Sequence, residues 1–143
     1  MLTTKLIHPE ILSVLGKLGH GSQVLVADGN YPFATNSNPS AQRVYLNLTP
    51  GIVSATDVLS AIAPSIRIEA AVVMMPESGN KPPIFDEFRQ LLPSDIVLKP
   101  LVRAEFYAAA RDPNTGLVIG TGEQRLYGNI LLTIGVVMPE SVE

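Results

Sequence analysis

The chain is expected to fold as one α/β domain, a partly parallel sheet flanked by helices. Three observations predict this. With 143 residues it has the length of a single domain, and a chain of this size removes about 68–70% of its unfolded surface from water, enough for a real core. The apolar runs Val24-Leu25-Val26-Ala27 and Ala70-Ala71-Val72-Val73-Met74-Met75 have strand length and are cut short by turn residues, as strands buried on both faces are. Segments of helical spacing lie between such runs, and this alternation favours parallel connections. No repeat, charge block or low-complexity linker divides residues 1–143.

The elements follow in order. Pro9 to Leu18 reads as a helix: proline suits the first turn, Glu10 suits the positive end, and Ile11, Leu12, Leu15 and Leu18 share a face, with Gly19 as the C-terminal cap. Val24–Ala27 is a buried strand running into Asp28-Gly29-Asn30, so Asp28 is placed at a strand's carboxyl end, where open α/β sheets bind ligands. Val44, Leu46 and Leu48 alternate as a half-buried strand before the turn Thr49-Pro50-Gly51. Thr56-Asp57 opens a helix through Ile62 that Pro64 stops. Ala70–Met75 is a strand cut by Pro76. Ile84, Phe85, Phe88, Leu91 and Leu92 have helical spacing ahead of Pro93, and Ile96-Val97-Leu98 reads as strand. Glu105–Ala110 favours a short helix because alanine has high propensity, and Asp112-Pro113-Asn114-Thr115-Gly116 is a turn. Leu117–Ile119 and Ile130–Val137 are the last two strands.

Composition excludes several functions. Hydrophobic residues make up 46% and charged residues 16%, against roughly 25% charge in an average soluble chain, so apolar surface should remain for partners to cover and a homo-oligomer is expected. A net charge of -3 and the lack of a Lys/Arg cluster leave no footprint for nucleic acid or an anionic membrane. Without cysteine there is no disulfide or thiolate chemistry, and cytoplasm is the default compartment. His8, Pro9, Glu10 and Lys17 interrupt any signal-peptide core, and no window approaches the ~20 apolar residues of a membrane span, so an unprocessed soluble protein is expected.

Few residues remain for chemistry. His8 precedes a helix start and reads as a solvent-facing or capping residue. His20, between Gly19 and Gly21, is a turn residue or a proton carrier, since an imidazole with an unperturbed pKa of about 6.5 both donates and accepts near neutrality. Asp28 is either an ordinary Asp-Gly turn or an acceptor for an imidazolium or hydroxyl. Arg103 alone reads as a surface or salt-bridge residue. Tyr127-Gly128-Asn129 places a phenol and an amide, both donor and acceptor, beside a glycine that lets backbone approach a ligand, which suits vicinal hydroxyls. Glu123 is a catalytic carboxylate or the structural partner of an arginine. The glycines at 120, 122 and 128 match no nucleotide-binding fingerprint, Ser22 lacks a nucleophile elbow, and two separated histidines make no transition-metal cage.

Taken together and in order, His8-Pro9-Glu10, Gly19-His20-Gly21, Asp28, Arg103, Thr121-Gly122-Glu123, Tyr127-Gly128-Asn129 and Gly135-Val136 resemble the RbsD/FucU family of sugar mutarotases across nearly the whole chain. The resemblance implies an RbsD-like fold and a cofactor-independent isomerase acting on a monosaccharide. It implies His20 as the proton-transfer residue, and Asp28, Arg103, Tyr127, Gly128 and Asn129 as substrate-binding residues. Arg103 resembles the fucose-type branch, where the ribose-type branch tends to carry histidine, so a fucose-like sugar is expected. The family's ring-shaped, often decameric assemblies imply the same for the oligomer. D-Ribose pyranase activity and a non-catalytic sugar-binding accessory role are the alternatives. Ser22, Gly29 and Ala108-Ala109 depart from the family's usual residues, which bears on the substrate more than on the fold.

Overall fold

The computed structural model describes residues 1–141. Helix α1 spans Pro9–Leu15; His8 caps it, its Nδ1 accepting from the Ile11 N–H at 3.2 Å. The helix is shorter than its apolar spacing predicts because it meets Gly16, a poor helix former, whose N–H closes the last turn on Leu12. Leu18 lies beyond the helix, against Gly116. Strand β1 (Gln23–Ala27) follows, then a long loop to β2 (Gln42–Tyr45). The expected strand through Leu48 stops at Tyr45, where its ladder partner runs out at Gly120.

Helix α2 (Ala55–Ile62) starts one residue earlier than expected. Its cap is Ser54, whose Oγ accepts from the Asp57 N–H while the Asp57 carboxylate accepts from the Ser54 N–H, a reciprocal capping box. A 3-10 turn at Ala63–Ser65 holds Pro64. Strand β3 (Ile68–Met74), helix α3 (Ile84–Leu91) and strand β4 (Leu98–Leu101) come next. Strand β4 is displaced two residues beyond the expected Ile96 start and contains Pro100, which an edge strand tolerates. Helix α4 (Arg103–Ala110) begins at Arg103 rather than Glu105, β5 spans Thr115–Gly120, and β6 (Ile130–Ile134) ends short of the expected Val137.

The six strands form one sheet in the order β2-β5-β1-β6-β3-β4. β1, β2 and β5 pair in parallel, as do β3 and β4, and β6 lies antiparallel between β1 and β3. Five strands therefore end at one edge of the sheet, and β6 starts there. Side chains alternate between two cores. Val24, Val26, Leu117, Ile119, Ile130 and Leu132 pack with α1, α2 and α3, while Leu25, Ala27, Val118 and Leu131 pack with Phe106 and Ala110 of α4. Burial on both faces explains why these strands read as apolar runs. Among the described residues no helix is long and apolar enough to cross a membrane.

Candidate functional site

The edge where five strands end gathers the polar residues the sequence singles out, all but one. Asp28 follows β1, Arg103 opens α4 just after β4, and Tyr127, Gly128 and Asn129 lead into β6. Asp28, Arg103, Tyr127 and Asn129 line one cavity of about 230 Å³, below the roughly 300–1,000 Å³ of sites for drug-sized ligands and suited to a small polar molecule. A neighbouring cavity of about 390 Å³ is lined by Asn47, Thr49, Thr121, Gly122 and Gln124. It is larger, and Glu123, the one ionisable residue in its lining, is held by Arg125.

Asp28 is the floor of the smaller cavity and is 4% exposed. Its Oδ1 accepts from the Asn30 N–H at 3.0 Å and its Oδ2 from the Gly128 N–H at 3.2 Å. Burial nevertheless pushes its pKa above the ordinary aspartate value, with those backbone donors opposing the shift. The Asp28 N–H donates to Asn129 Oδ1 at 2.8 Å. That bond settles which way the amide points, with Nδ2 as its donor. Gly128 does not line the cavity itself; its role is the N–H given to Asp28. Only glycine fits there, because a Cβ would stand 2.9 Å from Glu123 Cγ and 3.1 Å from the Arg125 carbonyl oxygen. Tyr127 is half-buried with φ at 62°, and among the described residues its hydroxyl has no hydrogen-bond partner.

Asn30, Tyr31, Tyr107, Met74 and Leu126 complete the wall, and the sequence singles out none of the last four. Tyr31 donates its hydroxyl to the Asn36 carbonyl at 2.7 Å and packs edge-on to Tyr107 with ring centroids 5.4 Å apart. Burial holds the Tyr31 phenol above its usual pKa, so it is a structural wall, whereas Tyr107 is half-buried and faces the space. A signal for Tyr107 exists: it stands four residues after Arg103 on one helix, hence on the same face. Glu123 is the partner of an arginine. Arg125 donates to its Oε1 from Nε at 2.9 Å and from Nη2 at 2.6 Å. Polar donors and acceptors beside Met74, Leu126 and aromatic faces match a sugar's mixture of hydroxyls and C–H faces.

His20 stands apart. It occupies the turn between α1 and β1, where Gly21 adopts φ 84° and gives its N–H to the Ile134 carbonyl at the far end of β6. Its side chain is 61% exposed, with Nε2 3.2 Å from Glu69 Oε2. His20 and Asp28 are thus separated by at least the length of β1, roughly 17 Å at about 3.3 Å per residue. Through Nε2 the ring can donate to the Glu69 carboxylate.

Residues 1–137 match the family described as the RbsD / FucU transport protein family. The chain is 34% identical over 142 residues to a fucose mutarotase of Danio rerio, an alignment covering 92% of this chain and 90% of that one. It is 29% identical over 136 residues to a D-ribose pyranase of Paracidovorax citrulli, covering 95% and 98%. The crystal structure of the fucose mutarotase from Streptococcus pneumoniae in complex with L-fucose superimposes with a TM-score of 0.81 at 26% identity, covering 96% of this chain and all of that one. Agreement of the sequence match, the relatives and the six-stranded fold over essentially the full length leads to one conclusion: the chain belongs to the RbsD/FucU family.

Proposed function

We propose that the protein is a cofactor-independent sugar mutarotase of the cytoplasm that interconverts the anomers of a fucose-like monosaccharide. The observation that carries this is the cavity in which the Asp28 carboxylate, the Asn129 amide, the Tyr127 hydroxyl and the Arg103 guanidinium face one small space. Its setting in a chain 34% identical to a fucose mutarotase supports the choice of reaction. Anomer exchange needs a proton taken from the anomeric hydroxyl and a proton given to the ring oxygen. The bond between the anomeric carbon and the ring oxygen then breaks, leaving an open-chain aldehyde. Rotation of the carbonyl and reclosure on its other face, with both proton transfers reversed, completes the exchange. Asp28 and Asn129 anchor hydroxyls, Arg103 grips sugar oxygens with a planar fork, and Tyr127 donates or accepts beside them.

In this proposal His20 carries the proton, and it comes from a second copy of the chain because its own pocket lies at the opposite end of the sheet. Exposed apolar residues at both ends support a head-to-tail assembly. Leu126, 66% exposed, and Val102 border the pocket, while Val136, Val137 and Met138 follow β6 on the His20 side. A heterologous contact of this kind makes a ring where its rotation closes, the form proposed here. Glu69 then holds the His20 ring by its Nε2.

Exchange NMR with a panel of monosaccharides tests the function. Fucose anomer exchange should be accelerated, and ribose exchanged less well. Binding without accelerated exchange would support an accessory sugar-binding role instead, equal or better turnover of ribose would refute the fucose preference, and no binding at all would sink the proposal.

A further inference from the structure

We propose that Arg125 is a positioning residue, clamping the 123–129 segment to two helices so that Tyr127 is presented to the sugar. Its catalytic consequence rests on the mutarotase reading, while its geometry does not. Tyr127 sits at φ 62°, a left-handed conformation that disfavours an aromatic side chain and persists where the surroundings over-determine it. On the C-terminal side the constraint is visible: Gly128 donates to Asp28, and Asn129 accepts from the Asp28 N–H.

On the N-terminal side the constraint is the Arg125 fork. Nε and Nη2 both reach Glu123 Oε1, Nη2 also reaches Thr56 Oγ1 of α2 at 3.2 Å, and Nη1 pairs with Glu87 of α3. Glu123 is 4% exposed, and its carbonyl accepts from the Gly29 N–H at 2.9 Å, so the clamp also grips the turn that carries Asp28. Gly128 packs directly on Glu123 Cγ and the Arg125 carbonyl. Like Arg125, Gln124 and Leu126 are exposed; the Gln124 N–H donates to Glu123 Oε2 at 3.1 Å, and among the described residues neither side chain hydrogen-bonds another element. A planar guanidinium satisfies acceptors on two helices and on its own loop at once, which the single point charge of lysine does not.

The test compares Arg125→Gln, Arg125→Lys, Tyr127→Phe and the Arg125→Gln/Tyr127→Phe double variant. Each Arg125 variant should lower the anomer-exchange rate at saturating fucose about tenfold, and should weaken fucose binding by no more than Tyr127→Phe does, because Asp28 and Asn129 remain in place. On the Tyr127→Phe background, Arg125→Gln should lower the rate by no more than about twofold, since the clamp acts through the tyrosine. Full multiplicative loss in the double variant, or wild-type rates in both Arg125 variants, would overturn the proposal. Hydrogen exchange gives a readout without sugar: the amides of residues 124–128 should exchange faster in Arg125→Gln while those of β1 and β6 do not. If the wild-type protein accelerates no sugar, the mutarotase reading fails and this exchange measurement alone decides the clamp, unchanged protection overturning it. Should Arg125→Gln not fold, Glu87→Gln removes one exposed arm and should loosen the same amides; no loosening counts against the clamp.

Discussion

Asp28 carries the most information at the scale of single residues. Its raised pKa means that folding favours the protonated form, so the stabilisation is present below the unfolded value of about 3.9 and lost as pH rises through the higher folded value. Asp28→Asn removes that dependence. The melting temperature of the variant relative to wild type should therefore climb between about pH 4 and neutrality, and differential scanning across that window checks it. Ligand-facing groups have a different readout. Removing the Tyr127 hydroxyl or the Asn129 amide should weaken sugar binding by about 1–3 kcal/mol per buried partner left unpaired, measured by titration. His20→Ala should remove most accelerated exchange, by about 10²–10⁴ in rate. His20→Gln should keep sugar binding better than catalysis, because an amide still hydrogen-bonds without transferring protons near neutral pH; a near-wild-type exchange rate in either variant would leave Asp28 or Tyr127 as the proton carrier.

Elements decide where these residues meet. Strand runs such as Val24–Ala27 were legible because both faces of the sheet are covered, and Asp28 and Asn129 were legible as residues flanking strands. Ends of elements were not, wherever a partner sets them: β2 stops with β5, and β4 begins where β3 offers a ladder. Tyr31 and Tyr107 were hidden because the loop after β1 and the face of α4 converge only in the folded chain. The separation of His20 from Asp28 needed the sheet, since eight positions in sequence can be a turn or a full strand. Gly128 shows how tightly the segment before β6 is built. Gly128→Ala should cost about 1–3 kcal/mol through overpacking against Glu123 and the Arg125 carbonyl, read from urea unfolding, and the sugar site should weaken in the same variant. A fully stable variant would mean that the segment yields.

The whole molecule raises the question of copies. Leu48 is 81% exposed, with Tyr45 and Ile52 also exposed near the site edge, and covering this surface is the work we assign to neighbouring copies. Light scattering should find a ring-sized homo-oligomer; a stable monomer at micromolar concentration would contradict both the assembly and a His20 shared between copies. Co-refolding His20→Gln with Asp28→Asn chains is the sharper measurement. Sites built from two copies should recover about a quarter of the wild-type exchange rate on random mixing, whereas sites within one chain should recover none. The antiparallel strand β6 has a separate consequence, for synthesis. It lies between β1 and β3, and among the described residues no other strand joins β2-β5-β1 to β3-β4. A nascent chain on the ribosome that has not yet released β6 therefore holds two half-sheets with no ladder between them and no Tyr127-Gly128-Asn129 arm. Sheet closure and assembly of the pocket become one late event, and a ribosome-arrested chain ending before Ile130 should stay protease-sensitive however long it waits.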